Sequence, residues 1–368
     1  MTDTTAAAQG RYVRYTSAVE DISEGEEKTF DRIAEVMRKQ NEAMRDRYGR
    51  GIRASHAKPF AVLKGELRVL DGLPPELAQG IFANAATYQV LVRGSTVPGE
   101  YLDDDVSVPR GMALKILGVS GARIAEDDEG STQDFLLVNG ENFIASGAKT
   151  FLAEIAQTDA ATPLPEGVKK VVSAVSQVTE KAIEAVGGQS AVVGFYGHAP
   201  LHPLGEEYFS QQAFRHGDYI AKHGLFPVGA AQQALVDAKV DVKGDRTALR
   251  TALQDFFRTN AAEFELRVQL LTNPDKVEDA HAKWSKDESP FIPVATLTLP
   301  PQESFGEERR VYFDEALAFS PAHGLEAHRP LGSIGRARLF AYRRVSQQRH
   351  DANGVPHRAP ASVADVPD

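Results

Sequence analysis

The sequence predicts an α+β fold, an antiparallel β-barrel or sheet at the core with helical insertions. Phe264, Leu266, Val268 and Leu270 alternate with Glu265, Arg267 and Gln269, the period of a half-buried strand. Short extended runs at Phe60–Leu70, Tyr88–Arg93, Gly111–Leu117 and Phe135–Val138 are separated by turn residues, a pattern that favours antiparallel pairing. The chain shows no regular alternation of strand with helix and no G-x-G-x-x-G, which removes a doubly wound dinucleotide-binding fold.

Taken in order, residues 1–20 carry little hydrophobic pattern and read as an N-terminal arm. Ser23 and Glu26 have capping-box spacing ahead of a helical stripe, Phe30, Ile33, Met37, Met44 and Tyr48, which suits core or an oligomer contact. Pro74–Ala83 predicts a short helix with proline at its start. Val168 to Val186 forms a longer stripe, begun by Pro163 and Pro165 and stopped by Gly187-Gly188. Ala191–Phe195 and Phe226–Gly229 read as strands, Asp245–Thr259 as a helix, and Pro290–Leu299 as extended chain. Residues 21–350 then form one domain, and 351–368, rich in proline and alanine, a flexible tail.

Composition narrows the function. The 368 residues are 42% hydrophobic and 25% charged, an ordinary globular balance. A net charge of −10 argues against a nucleic-acid partner. With no cysteine, disulfides, thiolate catalysis and iron–sulfur clusters are excluded. No secretory signal and no apolar run of about 20 residues is visible, so the expected location is cytoplasmic. Asp103–Asp105 and Glu126–Glu129 read as solvated turns, without EF-hand spacing. His198, His202, His216 and His223 lack the carboxylate or cysteine pattern of a metal site. With Tyr208–Arg215 they read as a wall or strand.

The chemistry concentrates in Leu331–His350, LGSIGRARLFAYRRVSQQRH. At helical spacing Arg338, Tyr342, Ser346 and Arg349 share one face. A guanidinium beside a phenol favours the phenolate, and a phenolate ligates ferric iron. Alone, the stretch reads as well as a solvated basic helix. Upstream stand Arg53-Ala54-Ser55-His56-Ala57, Arg93–Glu100 (RGSTVPGE), Arg110–Lys115 (RGMALK) and Asp134–Asn139 (DFLLVN).

Together these segments resemble, in order, the R-x-x-H-A, R-F-S-T-V-x-G-E, R-G-x-A-x-K, distal-asparagine and R-L-F-x-Y motifs of the haem catalase superfamily. The resemblance covers about residues 50–350. It implies a catalase-like β-barrel, without the extra C-terminal region of full-length catalases, and a haem b cofactor with ferric iron. Tyr342 would ligate the iron with Arg338 as its charge partner. His56 would be the distal acid–base group, with Asn139 beside it and Ser95 fixing its tautomer. Arg53, Arg93 and Arg349 would pair with the propionates, and Ser55, Val97, Phe143 and Phe151 would line the haem. The implied partners are a small peroxide and a reducing donor, and the first helix and N-terminal arm could serve a homodimer or higher homo-oligomer.

Departures from the catalase pattern point to a branch. Ser55 stands where catalases usually have valine, and the allene oxide synthase branch tends to have threonine. Gly94 replaces the phenylalanine of R-F-S-T. Pro330–Ile334 is similar to the turn of small catalase-related peroxidases, and Arg343–Arg349 departs from P-D-T-H-R-H-R. The expected function is therefore reduction of organic hydroperoxides, with hydrogen peroxide dismutation or fatty-acid hydroperoxide isomerisation as alternatives.

Overall fold

The structure is a computed structural model that describes residues 10–161 and 198–368. The long stripe from Val168 and the run Ala191–Phe195 lie outside the described residues. Nine strands occur among the described residues: β1 Pro59–Val69, β2 Thr87–Thr96, β3 Arg110–Leu117, β4 Thr132–Val138, β5 Tyr208–Phe209, β6 Phe214–His216, β7 Tyr219–Pro227, β8 Ala262–Leu270 and β9 Ile292–Leu299. Their order is β5-β4-β3-β2-β1-β9-β8-β7-β6, and β5 also pairs with β7. That pairing closes eight strands into an antiparallel barrel, with β6 as a hairpin arm on β7. Closure leaves no free edge along the ring.

Alternation decides which face is core. Phe264, Leu266, Val268 and Leu270 of β8 are all buried inside, with Leu63, Leu67, Val90, Val92, Leu114 and Ile116. In β1, Phe60 to Leu63 are buried without alternation. The barrel's outer surface is covered there too, since Val62 and Leu91 pack against Phe313, Leu317 and Val366.

Five longer helices surround the barrel among the described residues: α1 Glu26–Tyr48, α2 Ala148–Ala161, α3 Ala248–Phe257, α4 Glu307–Glu315 and α5 Gly332–Asn353. Helix α1 packs on α5 through Phe30, Ile33 and Ala34 against Ala337 and Ala341, with Phe30 and Phe340 6.0 Å apart. Two alanines one turn apart on α5 let the backbones approach. The apolar stripe of α1 is thus core. Arg336 ties the start of α5 to Glu20, Glu26 and Glu278. No helix of the described residues is long and apolar enough to cross a membrane.

Several local expectations change. The helix expected at Pro74–Ala83 is one turn after Pro74 and a 3₁₀ turn, Gly80–Phe82. Gly80 adopts a left-handed φ of 56° and abuts the His328 ring, so the helix cannot run through it. The capping box at Ser23 does not form. Left-handed Gly25 is the cap of α1, and Glu26 N–H donates to the Ser23 carbonyl. The strand placed at Phe226–Gly229 is the end of β7, and Gly229 caps a short helix.

The acidic runs are not solvated turns. Asp104 is buried on Lys58 at 2.6 Å, and the Glu129 side chain is fully buried on Lys115 at 2.5 Å. The segment read as a flexible tail packs against the barrel. Helix α5 continues to Asn353, Ser362 and Asp365 make a capping box around Val363–Asp365, and Val366 is buried beside Val62.

Candidate functional site

The loop that leaves α1 carries His56 into the barrel mouth. His56 is left-handed, with φ 57°, a strained value for a side-chain-bearing residue. Three groups hold it there. Its N–H donates to the Val97 carbonyl at 2.7 Å, Arg93 Nη1 donates to its carbonyl at 2.7 Å, and Ser95 Oγ lies 3.1 Å from Nδ1. Ser95 engages one ring nitrogen and leaves Nε2 for chemistry. Gly111 makes room, because a Cβ there would lie 2.5 Å from His56 Cε1. Burial, reinforced by the charges of Arg93, Arg338 and Arg53, lowers the His56 pKa to about 3. The ring is therefore a neutral base. Arg338, one of the charges that act on the ring, belongs to α5.

On α5, Arg338 Nη2 donates to the Tyr342 phenolic oxygen at 3.4 Å, and its guanidinium lies 5.3 Å from the ring centre. Arg338 Nη1 donates to Gln212 Oε1 at 3.0 Å. Gln212 is a residue that sequence reasoning did not single out. It orients Arg338 from the β5–β6 connection.

The arginines expected to bind propionates converge. Arg53 Nη1 and Arg93 Nη2 each donate to Asp314 Oδ1 at 3.1 Å. Arg349 Nη1 donates to the Asp314 carbonyl, and its Nη2 and Arg53 Nη2 both donate to the Leu317 carbonyl, at 3.1 and 2.9 Å. Burial, followed by its arginine neighbours, pulls the Arg53 pKa well down. Burial lowers Arg349 to about 10. Arg53 and Arg93 share Asp314 Oδ1, Arg310 reaches Oδ2 at 3.4 Å and Arg349 reaches only the backbone carbonyl, so positive charge is in excess around this one carboxylate. Arg93 Nε is buried and unpartnered. Such a cluster suits a dianionic pair of carboxylates. Asp314 was also missed, because nothing near it in the chain announces partners some 260 residues away.

Asn139 sits just past β4. Its Oδ1 accepts the Arg110 N–H at 2.7 Å and its Nδ2 donates to Glu206 Oε1 at 2.8 Å. Glu206 in turn pairs with Arg110 in bidentate fashion, with Nη2 2.6 Å from Oε1. The amide orientation is thereby fixed, and one Nδ2 hydrogen remains uncommitted. Glu206 has no sequence signal of its own.

The remaining expected residues are placed less directly. Ser55 Oγ donates to the Val97 carbonyl at 3.1 Å, so its hydroxyl proton is engaged by the protein and only its lone pairs stay open. Val97 contributes through its backbone. Phe143 and Phe151 pack together with ring centres 5.1 Å apart and planes tilted by 54°, and Phe151 packs with the α1–α5 cluster. A groove of about 630 Å³ between Asp31–Arg38 and Arg344–Gln348 is lined by none of the candidate residues.

No protein-family model matches the sequence, and no curated protein matches it significantly. Solved structures do. A bacterial catalase aligns with a TM-score of 0.58 and 18% identity over 85% of this chain. A fungal catalase gives 0.56 and 18%, and catalase A from Saccharomyces cerevisiae 0.56 and 16%, each over 85% of this chain. The fold is catalase-like. The chain spans about three fifths of the length of these catalases, covering 60%, 61% and 63% of them. At this identity the likeness concerns the barrel and its helices, and the chemistry must be argued from the side chains.

Proposed function

We propose that the protein is a haem b peroxidase on a catalase-like barrel, acting on organic hydroperoxides. The observations that carry this reading are a buried neutral His56 backed by Ser95 and an arginine–tyrosine pair, Arg338 and Tyr342, on α5, with the Arg338 charge acting on the His56 ring. The donor set fits haem. Tyr342 offers a phenolic oxygen to the iron, with Arg338 donating to that oxygen. Arg53, Arg93 and Arg349 would place positive charge beside the propionates; their forks are held by Asp314 and by backbone carbonyls, and the orphaned Arg93 Nε would gain an acceptor if one propionate reached it. When bound, the haem supplies a ferric centre that takes up the peroxide and accepts its oxidising equivalents.

The chain supplies the proton chemistry. Neutral His56 takes the hydroperoxide proton on Nε2, while Ser95 holds Nδ1. The same nitrogen returns the proton to the departing alkoxide oxygen. Asn139 holds an oxygen by its free Nδ2 hydrogen without adding charge, and Glu206 keeps that amide from turning over.

Preference for organic hydroperoxides rests on Ser55 and on the Pro330–Ile334 turn. The structural likeness to catalases supports dismutation of hydrogen peroxide as the second reading. Haem-loaded protein decides between them. Peroxidase function predicts donor-dependent consumption of an alkyl hydroperoxide with little oxygen from hydrogen peroxide. Rapid oxygen evolution, with alkyl hydroperoxides untouched, overturns it. Isomerisation would consume the hydroperoxide with no donor and yield a rearranged product by mass spectrometry.

A further inference from the structure

We propose that His216, His223 and His328 form a binding site for a divalent transition-metal ion, Zn²⁺ fitting best, separate from the haem site. The three rings come from β6, β7 and the turn before α5. One nitrogen from each lies within 4.8 Å of the others. All three residues are buried, at 0%, 0% and 1% exposure. Four of their six ring nitrogens have no hydrogen-bond partner: His216 Nδ1, His223 Nδ1 and Nε2, and His328 Nδ1. The surroundings are mainly aromatic, with the Arg215 backbone beside His328. Phe135 lies 4.7 Å from the His223 ring, Phe214 5.4 Å from it, and Phe82 5.8 and 5.4 Å from His216 and His328. Unpaired polar nitrogens in a mainly apolar interior are costly, and three imidazoles with a nitrogen each within 4.8 Å of the others are what a borderline-soft cation needs.

The details agree with ligation. Burial keeps the three imidazoles neutral, with lone pairs available. His216 donates through Nε2 to the Leu77 carbonyl at 3.1 Å. That directs the Nδ1 lone pair inward, the outer partner a metal-bound histidine usually has. Tetrahedral Zn–N bonds of about 2.0 Å set ligand nitrogens about 3.3 Å apart, so the rings close modestly on the ion. Hydroxide from water would occupy the fourth position and offset part of the charge. One ligand must change partner. His328 Nε2 accepts the Ile81 N–H at 3.0 Å, and ligation through either of its nitrogens opens that bond. The Ile81 amide is therefore a reporter. By joining the β6–β7 hairpin to the residue four positions before α5, the ion would pin the start of the helix that carries Tyr342.

A second cluster, Glu129, His323 and His357, differs in the way that matters. Lys115 already occupies it, 2.5 Å from Glu129 and 3.2 Å from His323 Nδ1. A resident ammonium leaves no place for a cation.

The test uses tag-free, haem-free full-length protein and does not depend on the haem reading. Co²⁺ titration should give one equivalent with the intense visible absorption of a tetrahedral site, displaced by Zn²⁺. Zn²⁺ should raise the melting temperature and shift the Ile81 amide resonance. His223→Phe and His216→Leu should each weaken Co²⁺ binding more than about a hundredfold, since even outer-partner losses cost up to that much. His357→Gln should leave it unchanged. Absence of the tetrahedral spectrum in the wild type, or full binding by His223→Phe, overturns the proposal. If both variants fail to fold, the wild-type zinc shift at Ile81 decides: its presence supports the site and its absence rejects it.

Discussion

At the scale of single residues, the candidate chemistry depends on one strained histidine. His56 is held left-handed by Val97 and Arg93 and oriented by Ser95, so its role is open to direct removal. His56→Ala should lower peroxide turnover by roughly 10²–10⁴-fold while haem stays bound, measured by steady-state kinetics beside a haem titration. Unchanged turnover would remove His56 from the mechanism. Burial and the neighbouring arginines lower its folded pKa to about 3, so an NMR titration of the His56 ring in haem-free protein should show no protonation step near pH 6.5. Asp314 is the opposite kind of residue, a carboxylate that neutralises part of an arginine cluster. Asp314→Ala leaves buried guanidiniums unpaired and should destabilise the haem-free protein by about 3 kcal/mol in denaturant melts. His56, Arg338 and Tyr342 could be put forward as candidates from sequence because each stands in a short contiguous segment. Asp314, Glu206 and Gln212 could not, because each acts on a partner far along the chain, and only barrel closure brings them together.

At the scale of elements, β1, β3 and β8 were read with bounds close to those observed, whereas β7 was caught only at its end, because it is buried along almost its whole length and shows no alternation. The failures have physical causes. Pro74–Ala83 looked helical, but left-handed Gly80 interrupts it to pass the His328 ring. The acidic runs looked solvated because charge pattern alone cannot reveal Lys58 or Lys115 beneath them. Gly94 looked like a loss of the family phenylalanine. In the structure Phe60 fills that space, with its ring 2.2 Å from where a Cβ would stand. Gly94→Ala should therefore destabilise by about 1–3 kcal/mol, read as a lower denaturation midpoint at unchanged slope. Since β2 also presents Arg93 and Ser95 to His56, the variant should lose activity along with stability.

At the scale of the whole molecule, the C-terminal segment completes the barrel's outer layer. Val366 is 3% exposed against Val62, Leu91 and Phe313. Deleting residues 361–368 should cost at least about 1.5–3 kcal/mol, the value of burying one such side chain. Stability should also peak near neutral pH. His198, His202, His216 and His350 have folded pKa values of about 4 and His56 of about 3, and His223 and His328 are lowered as well, all chiefly by burial. The unfolded chain binds their protons first, so stability falls as pH drops from about 6.5 toward 4. His323 has a folded pKa of about 9. Burial and Lys115 oppose its charge, but hydrogen bonds to Asp128 and Asp134 outweigh them. Its contribution is complete below about 6.5 and lost as pH rises through 9. Denaturant midpoints should fall more steeply from pH 6.5 toward 4 than from 6.5 toward 8, because several histidines share the acid limb and one the alkaline, and above about pH 8 the lowered Lys222 pKa offsets the His323 loss.

The central claim is an iron-ligating Tyr342 opposite His56, and the visible absorption of haem-loaded protein tests it most directly. The wild type should show a ferric tyrosinate spectrum that changes in Tyr342→Phe. Failure to bind haem, or identical spectra from wild type and Tyr342→Phe, would contradict it.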